Sequence, residues 1–381
     1  MIEILLAFFF ISVLLFFLGS GIWVAISMVG VSSIGMILFT SRPVGDAMAT
    51  TIWGASSSWT LTALPLFVWM GEILFRTKLS ENLFEGLAPW LQKLPGGLIH
   101  VNVVGCALFA AISGSSAATV ATVGKMSIPE LRKRKYPEKI LLGSLAGSGT
   151  LGLLIPPSII LIIYGVTVQE SIAKLFIAGI IPGIMIALIF MGYVIVWSLL
   201  NENKMPTNYE NFSFLNKLSK SKQLIPVILL ILGVIGSIYT GIATATEAAS
   251  LGVVGALILS YFQKSLTLKT FKDSLLGATK TSCMIAFILA GATFLSLAMG
   301  FTGLPRNLAL WIQNMELSPY VLIFVLMIFY IILGMFLDGI SAVVLTMAII
   351  EPMIRQAGFD MIWFGIFLVI VVEMAQITPP V

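Results

Sequence analysis

Apolar residues occur along this chain in blocks of helical length, and short polar clusters separate them. Two blocks, residues 2–18 and 20–39, follow the N-terminus and meet at a Gly-Ser-Gly turn. A later block, residues 96–131, is interrupted by Ser113, Gly114, Ser115 and Ser116. Each arm of that block has about 15 residues, or roughly 22 Å of helix, which is short of a hydrocarbon core of about 30 Å. The pattern predicts a re-entrant hairpin over 96–131, with its polar tip near mid-depth.

A second interruption follows within residues 140–165, in the run GSGTLGLLIPPS. Pro156 and Pro157 lack amide donors, and Gly149 and Gly152 loosen the preceding turn, so carbonyl oxygens lose their helical partners. Irregular backbone at membrane depth is tolerated only where protein buries it or where it lines a wet cavity. A broken helix beside a hairpin tip is typical of secondary transporters, which bind substrate and ions there. The alternative is that these small residues only ease helix packing.

The same arrangement recurs near the C-terminus, as a hairpin predicted at 318–355 and a Pro-Pro pair in EMAQITPPV. Aligning Ser113 with Asp338 gives nearly the same offset along the chain as aligning Pro156 with Pro379. Corresponding interruptions in two halves indicate a transporter binding site. A carboxylate such as Asp338 inside a membrane costs about 2.5 to 3.5 kcal/mol on insertion scales unless a cation or buried donors compensate it. We therefore favour a functional role for Asp338.

The basic residues predict an orientation for these segments. Of the 21 Lys and Arg residues, 17 fall in the segments 76–93, 125–139, 204–222 and 264–280. Under the positive-inside rule all four segments are cytoplasmic. Both ends of the first hairpin are then cytoplasmic, both ends of the second are external, and the N-terminus is periplasmic. The N-terminal block has no basic flank, so we interpret it as a retained helix rather than a signal peptide.

Composition supports the same class of protein. Hydrophobic residues make up 59% of the chain and charged residues 10%, which is typical of a polytopic membrane protein. The net charge of +4 is explained by the cytoplasmic clusters and requires no nucleic-acid partner; anionic headgroups of the lipid bilayer are the expected contact. The predicted division is 1–62 (N-terminal scaffold helices), 63–200 (first repeat), 201–223 (cytoplasmic loop), 224–280 (scaffold helices of the second half) and 281–381 (second repeat).

Several ionisable or polar features have simpler interpretations. Glu72 lies one turn from Arg76, which favours an ion pair over proton coupling. Glu247 follows a short turn and is expected to cap a helix. The amphipathic segments 79–95 and 267–280 predict interfacial helices, the second followed by a separate span at 281–300.

The sequence shows no motif of the kind that enzymes use for catalysis. No nucleophile with a base, no phosphate loop and no metal motif is recognisable, so we expect neither an enzyme nor a cofactor. Cys106 and Cys283 both lie in apolar spans, and burial is expected for them rather than a disulfide.

Five sequence runs together resemble a known family: SGSSAATVATVG, GTLGLLIPPSIILIIYG, TATEAASLGVVGAL, GMFLDGISA and EMAQITPPV. They are similar, over nearly the whole chain, to the large membrane subunit of tripartite ATP-independent periplasmic (TRAP) transporters of the ion transporter superfamily. The resemblance implies an all-α, inverted-repeat, elevator-type transporter with two re-entrant hairpins and two broken helices. It also implies sodium coupling, a small four-helix membrane subunit as partner, and a periplasmic solute-binding protein that delivers a small carboxylate solute.

The resemblance also implies two sodium sites in this chain. The first would use the tip serines Ser113, Ser115 and Ser116 and carbonyl groups near the first break. The second would use the tip around Asp338 and the end of the last helix. The complete set of expected substrate- and ion-binding residues is Ser113, Gly114, Ser115, Ser116, Gly149, Gly152, Pro156, Pro157, Gly334, Asp338, Gly339, Ser341, Gln376, Thr378 and Pro379.

The sequence departs from the family pattern at three places. Ala245 stands in a Thr-Ala-Thr-Glu run where Thr-Pro-Thr-Glu is usual, and Glu351 precedes Pro352 where an apolar residue is usual. The family also continues beyond the second Pro-Pro pair, with the rest of the broken helix and a last span. We therefore expect the 381 residues to be part of a longer chain.

These observations predict an inner-membrane permease subunit that takes up a small organic acid with sodium. Hard cations bind hydroxyl and carbonyl oxygens, which the two tips supply. One alternative is a stand-alone sodium:dicarboxylate symporter of the same superfamily, which would need no binding protein. The other is a non-transporting membrane subunit of a respiratory complex, and the lack of cofactor-ligating His or Cys pairs argues against it.

Overall fold

The computed structural model describes residues 2–77, 79–206, 212–313, 318–335 and 337–378. Across these residues the chain forms α-helices and no β-strand. The first ten helices are α1 (Ile2–Gly19), α2 (Val24–Phe39), α3 (Val44–Ser56), α4 (Ala63–Phe75), α5 (Leu79–Leu91), α6 (Ile99–Ser113), α7 (Ser116–Lys133), α8 (Glu138–Gly149), α9 (Leu151–Leu154) and α10 (Ile159–Thr167). The others are α11 (Ile172–Leu200), α12 (Phe214–Ser221), α13 (Ile225–Tyr239), α14 (Ala245–Phe262), α15 (Leu268–Thr302), α16 (Leu304–Gln313), α17 (Pro319–Gly334), α18 (Gly339–Gln356) and α19 (Met361–Gln376).

Several helices are long and apolar enough to cross a membrane. Among the described residues there are six such segments, or up to seven if the bent pair Val44–Ser56 and Trp59–Phe75 forms one span. The six are Glu138–Thr167, Ile172–Leu200, Phe214–Tyr239, Ala245–Phe262, Leu268–Thr302 and Gly339–Gln356. On α11, Ile181 is 77% exposed and Leu200 is 79% exposed. Apolar surface of this extent needs an apolar surrounding, so the chain is a multi-pass membrane protein.

The chain divides into two compact units, neither of which is continuous in sequence. The first unit consists of Ala63–Leu161 and Ile172–Lys280, and the second of Met1–Thr62, Ile162–Ser171 and Thr281–Val381. The limits at Thr62 and Lys280 coincide with limits in the predicted division. Residues 162–171 differ: the sequence assigned them to the first repeat, but in the structure they belong to the second unit.

The first unit is built around the hairpin formed by α6 and α7. Helices α4, α5, α8, α9 and α11 pack against α6, and α14 packs against α4. Phe67 of α4 and Phe176 of α11 meet edge to face with ring centroids 5.8 Å apart, and both are almost completely buried. Trp69 Nε1 donates to Ser274 Oγ at 3.3 Å, which joins α4 to α15. Apolar burial along α6 therefore fixes the position of the hairpin.

The second unit contains the other hairpin, formed by α17 and α18, with α19 packed against both arms. The largest buried side chains of this unit are aromatic, and they include Tyr164, Tyr330, Phe294 and Phe364. The Tyr164 hydroxyl donates to the Met361 carbonyl at 2.6 Å, and this bond ties α10 to the start of α19. The second half of the first broken helix is therefore held beside the second repeat.

The two hairpins are copies of one another at a constant offset. Three features of the first hairpin recur in the second, and each pair is separated by the same number of positions along the chain. These are the N-cap residues of α7 and α18 (Ser115 and Asp338), the prolines inside those helices (Pro129 and Pro352) and the N-cap residues of α8 and α19 (Pro137 and Asp360). Helices α7 and α18 are also equally long, with 18 residues each. The sequence alignment of Ser113 with Asp338 was therefore wrong, because Ser115 is the residue that shares the capping position with Asp338.

Some sequence expectations differ from the helices that form. Residues 267–280 and 281–300 were expected to be two elements, but α15 runs unbroken for 35 residues. No proline lies between Leu268 and Thr302, and the single glycine near the junction, Gly277, is accommodated within the helix, so no backbone amide donor is lost there. Cys106 is buried as expected, whereas Cys283 is exposed, and both are free thiols.

Two predicted electrostatic contacts are confirmed. Arg76 Nη2 lies 2.9 Å from Glu72 Oε2, as the spacing of one turn predicts. Thr244 and Glu247 form a capping box at the start of α14, in which each side chain accepts from the other residue's backbone amide. Both carboxylates therefore have local partners.

Candidate ion and solute site

The first hairpin tip is a two-residue turn between α6 and α7. Helix α6 ends at Ser113, and Gly114 takes a left-handed conformation with φ of 59° that a residue without Cβ adopts at low cost. Ser115 is the N-cap of α7, and its Oγ accepts from the Ala118 amide at 3.4 Å. The tip sequence therefore encodes both the end of one helix and the beginning of the next.

Hydroxyl and carbonyl oxygens are concentrated at this tip. Thr119 Oγ1 donates to the Ser115 carbonyl at 2.8 Å, and the hydroxyls of Ser113 and Thr119 lie 2.9 Å apart. Ser113 is 4% exposed and Thr119 is fully buried, while Ser115 and Ser116 are half-buried. The result is a small, neutral, oxygen-rich cluster of the kind that suits a hard cation.

The first broken helix lies directly against this tip. Ser116 Oγ donates to the Thr150 carbonyl at 3.3 Å, and the Ile159 amide at the start of α10 donates to the Gly114 carbonyl at 3.3 Å. A Cβ on Gly152 would lie 2.7 Å from the Ser115 carbonyl oxygen, so only glycine permits this approach. Pro156 and Pro157 are buried in the break between α9 and α10. The break leaves the Ile159 amide without an acceptor in its own helix, and the Gly114 carbonyl accepts from it instead.

Most of the residues predicted for the first site therefore come together. Ser113, Gly114, Ser115 and Ser116 form the tip, and Gly152 and Pro157 contact it. Gly149 instead packs against Val120 of α7, one turn from the tip. Two further residues at this tip, Thr119 and Thr150, were not predicted from the sequence. Thr119 could have been recognised, because it follows Ser115 by four residues and so faces the same side of the helix.

The second hairpin tip is built differently. Helix α17 ends at Gly334, and Asp338 is the N-cap of α18, where its Oδ2 accepts from the Ser341 amide at 3.1 Å. Asp338 is exposed, whereas Gly339 and Ser341 are buried. A carboxylate in this position is stabilised by the amides and dipole of the helix N-terminus. The carboxylate of Asp338 therefore lies at the tip, as the sequence predicted. Its hydrogen bond in the structure is the one that caps the N-terminus of α18.

The other residues predicted for the second site lie at the end of α19 and just beyond it. A Cβ on Gly334 would lie 2.5 Å from Ala375 Cβ, so the tip of the hairpin lies against the last turn of α19. Thr378 Oγ1 donates to the Met374 carbonyl at 2.7 Å, and Gln376 is half-buried. Pro379, the last residue predicted for this site, lies outside the described residues.

The chemistry available at both tips is that of oxygen ligands. Among the described residues, no three His, Cys, Asp or Glu side chains are grouped as a metal centre would require. Serine and threonine hydroxyls and backbone carbonyls suit weakly held alkali cations better than transition metals. A broken helix also presents amide groups that can bind the carboxylate of a solute.

The fold defines a class of protein: a multi-pass helical membrane protein that contains two similar helical hairpins. Residues 10–381 match the family model described as "Tripartite ATP-independent periplasmic transporter, DctM component". The chain therefore belongs to this family, as the sequence resemblance predicted, and is a TRAP transporter large permease subunit.

Individual relatives support this assignment. The chain is 32% identical to the C4-dicarboxylate TRAP transporter large permease protein DctM of Pseudomonas aeruginosa over 92% of its own length and 82% of the relative's. It is 31% identical to the isethionate TRAP transporter permease protein DctMQ of Oleidesulfovibrio alaskensis, over 96% of this chain and 57% of that relative. These relatives are transport permeases and not enzymes.

A solved structure has a similar fold at low identity. The structure of MtrF from Neisseria gonorrhoeae, described as illuminating a class of antimetabolite efflux pumps, matches with a TM-score of 0.50 and 15% identity. The match covers 89% of this chain and 75% of that chain. At this identity the likeness concerns the fold alone.

Proposed function

We propose that this permease subunit catalyses sodium-coupled uptake of a small organic acid that a periplasmic solute-binding protein delivers. The observation that carries the proposal is the contact between the first hairpin tip and the break in the α8–α10 segment. There, Ser116 Oγ donates to the Thr150 carbonyl and the Ser113 hydroxyl lies 2.9 Å from that of Thr119. A compact set of neutral oxygens beside a broken helix is suited to a partly dehydrated monovalent cation.

We infer that the solute is an organic acid from the chemistry of a broken helix and from the solutes for which the relatives are named. One relative is named for C4-dicarboxylates and another for isethionate, and all of these carry an anionic carboxylate or sulfonate group. Amides at the start of a half-helix bind such anions through their positive dipole end. The solute is therefore expected at the broken-helix segments, and the binding protein would select among acids.

Two partners belong to the proposal. The isethionate relative is named DctMQ and is much longer than the part matched here, since the match covers 57% of it. This supports a second membrane component that works with the large permease as a separate small subunit. A soluble periplasmic binding protein would complete the system. A symporter that needs no binding protein is the alternative, and the requirement for that protein in uptake separates the two.

The proposed mechanism is of the elevator type. Two hairpins of equal design, repeated at a constant offset, would form the moving transport domain, with both sets of ion ligands carried on it. The four basic segments would face the cytoplasm and the N-terminus the periplasm. Inverted orientation of the two repeats would let the same sites open alternately to either side.

The proposal is tested by uptake into proteoliposomes that contain the permease and its small membrane subunit, with the binding protein outside. Radiolabelled C4-dicarboxylate and isethionate serve as probe solutes. We expect uptake only with an inward sodium gradient and only with the binding protein. The double variant Ser113→Ala/Ser116→Ala should raise the half-saturating sodium concentration, because two hydroxyl oxygens are lost.

The matched control is Ser250→Ala, since the Ser250 hydroxyl donates to the Thr246 carbonyl on an exposed side of α14. That variant should leave sodium dependence unchanged. Uptake that proceeds equally well without sodium, for every acid tested, would refute the coupling. An unchanged sodium response in the double variant would return the tip serines to a packing role.

A further inference from the structure

The first unit contains a short helix whose exposed surface the sites above do not use. Helix α12 continues through a single 3₁₀ turn into α13, and the two together form one candidate membrane span, Phe214–Tyr239. Its 26 residues correspond to about 39 Å of helix, whereas the hydrocarbon core is about 30 Å thick. One end of this span therefore lies beyond the core, and α12 is that end because its polar residues favour the headgroup region.

One side of α12 is apolar and exposed. Phe214, Leu215 and Leu218 have 66%, 74% and 49% of their surface exposed. At 100° per residue, these three positions lie within about 100° of one another around the helix. An amphipathic helix at a membrane surface buries such a side among the acyl chains next to the headgroups. The exposed apolar side of α12 therefore indicates contact with lipid.

The lysines of α12 are held against aromatic rings rather than against carboxylates. Lys217 Nζ lies 5.3 Å from the centre of the Trp90 ring, and Lys220 Nζ lies 4.5 Å from the centre of the Phe212 ring. Residues 212–223 contain three lysines and no Asp or Glu, and no carboxylate of the described residues forms an ion pair with these lysines. A ring occupies one side of an ammonium group, so the remaining N–H groups can donate to an anion.

Helix α5 holds α12 in this orientation. Trp90 Nε1 donates to Ser221 Oγ at 2.7 Å, and the Trp90 ring meets that of Phe214 edge to face with centroids 6.1 Å apart. Gln223 Nε2 adds a hydrogen bond of 3.3 Å to Glu85 Oε2, on the same helix as Trp90. Because α5 also packs on both arms of the first hairpin, the surface of α12 is connected to that hairpin through a single helix.

Other basic side chains of the first unit lie in different surroundings. Arg76, Arg132 and Arg134 each form an ion pair with a glutamate four or six positions away. Lys133 and Lys139 are exposed, and no aromatic ring in the part of the chain that the structure describes lies beneath either ammonium group. Helix α12 thus combines unpaired positive charge, aromatic rings and exposed apolar side chains.

We propose that α12 is a docking surface for anionic phospholipids of the surrounding bilayer. Lys217, Lys220 and Lys222 contact the phosphate groups, and Leu215 and Leu218 lie among the acyl chains. Net charge alone indicated a general attraction to anionic headgroups, whereas here the attraction belongs to one helix. Lipid bound at α12 also stabilises the position of α5 against the first hairpin. This surface is independent of the identity of the coupling ion.

The test is thermal unfolding of the purified permease in a neutral detergent during titration with dioleoylphosphatidylglycerol, with dioleoylphosphatidylcholine as the neutral lipid. We expect phosphatidylglycerol to raise the melting temperature more than phosphatidylcholine does. Lys217→Gln/Lys220→Gln should raise the half-saturating concentration of phosphatidylglycerol about tenfold or more, because two contacts with phosphate are lost. Lys217→Arg/Lys220→Arg keeps the charge and the ring contacts, so its half-saturation should not rise.

The matched control is Lys133→Gln/Lys139→Gln, which removes the same charge from exposed positions of the same unit and should leave half-saturation unchanged. Glycerol phosphate has no acyl chains and should not stabilise the protein. Should the glutamine pair of α12 fail to fold, Leu215→Gln/Leu218→Gln provides a second readout. With the lysines kept, this variant should still need more phosphatidylglycerol, because its apolar side is lost.

Equal shifts in the two glutamine pairs would show that the lipid responds to net charge alone, and they would overturn the assignment to α12. An unchanged half-saturation in the α12 pair would overturn it as well. Equal stabilisation by glycerol phosphate would mean that the lysines hold a free anion rather than a lipid, which also contradicts the proposal. Sodium-independent uptake would refute the proposed coupling and leave this lipid surface unaffected.

Discussion

The first and second hairpins share one helical design and differ in where they hold charge. Both have an 18-residue second arm that begins with a side-chain cap and contains a proline at the same position. The first tip is neutral, with serine and threonine hydroxyls bonded to one another and to the broken helix. The second tip has an exposed aspartate cap, and a buried glutamate, Glu373, lies on the adjoining helix. A repeated backbone therefore does not imply a repeated set of ligands.

The contact between each hairpin and its neighbouring helix differs as well. At the first tip, Gly152 approaches the backbone of Ser115 and Ser116 so closely that an added Cβ would lie 2.7 to 2.8 Å from three backbone atoms. At the second tip, a Cβ on Gly334 would meet the Ala375 methyl group at 2.5 Å. An alanine Cβ moves only with its own backbone, so neither contact can be relieved by rotating a side chain, and an added methyl group at either tip would push two helices apart.

The largest effect on stability and uptake is expected from replacing the glycine at each of these two contacts with alanine. Gly152→Ala should lower stability by about 1 to 3 kcal/mol and abolish uptake, because the broken helix must move away from the tip. Gly334→Ala should also cost about 1 to 3 kcal/mol, since Ala375 Cβ can move only together with the backbone of α19. Thermal unfolding in detergent and uptake in proteoliposomes measure both.

The control for the glycine variants is Gly143→Ala on α8, where an added Cβ meets nothing within 4 Å. A helical alanine there should be neutral or stabilising by up to about 1 kcal/mol. Unchanged stability in either Gly152→Ala or Gly334→Ala would contradict the close helix contact described at that tip.

A smaller effect is expected from the two capping residues. Asp338→Ala should cost about 1 kcal/mol or more, because Asp338 Oδ2 lies 3.1 Å from the Ser341 amide and its charge favours the helix N-terminus. Ser115→Ala should cost about 0.5 kcal/mol, since its bond to Ala118 is longer, at 3.4 Å. The melting temperatures of the two variants test this, and Asp338→Ala should melt at the lower temperature.

Asparagine caps helices about as well as aspartate, so Asp338→Asn separates capping from ion binding. If Asp338 only caps α18, this variant loses only the charge–dipole interaction, about 0.3 to 1 kcal/mol, and keeps its sodium response. A weakened sodium response with no larger loss of stability would show that the carboxylate is also an ion ligand and would restore the role expected from the sequence.

The smallest effect is expected from the arginines at the far ends of the two second arms, Arg132 and Arg355, which occupy equivalent positions in the repeat. Arg132 pairs with Glu138, and both side chains are more than half exposed. Arg355 pairs with Glu351 and also donates to the Val168 carbonyl at 3.0 Å.

Arg355→Gln should therefore lower stability by up to about 1 kcal/mol, and Arg132→Gln by less than about 0.5 kcal/mol. Thermal unfolding at low and high salt measures both losses. The loss for Arg132→Gln should shrink with salt because its exposed ion pair is screened, whereas the bond from Arg355 to the Val168 carbonyl should be less affected. A larger loss for Arg132→Gln would mean that the carbonyl contact of Arg355 adds nothing.

Much of the architecture followed from the sequence alone. Apolar blocks of helical length gave the positions of most helices, and the Ser/Gly cluster and the Gly/Pro run marked the first tip and the first break. Glu72 was paired correctly with Arg76, and Glu247 caps its helix as expected. These features are local, because capping, helix breaking and pairing across one turn depend on residues within four positions of each other.

What the tertiary structure decided was which oxygens meet and which charges are buried. The sequence drew attention to Asp338 because it interrupts an apolar run, yet this residue is exposed and caps its own helix. Glu373, in an equally apolar run, is buried because α17 and α18 pack against α19. Thr150 joins the first tip only because α9 folds back onto it. Burial and long-range contact arise from the packing of helices far apart in sequence, and no local pattern contains that information.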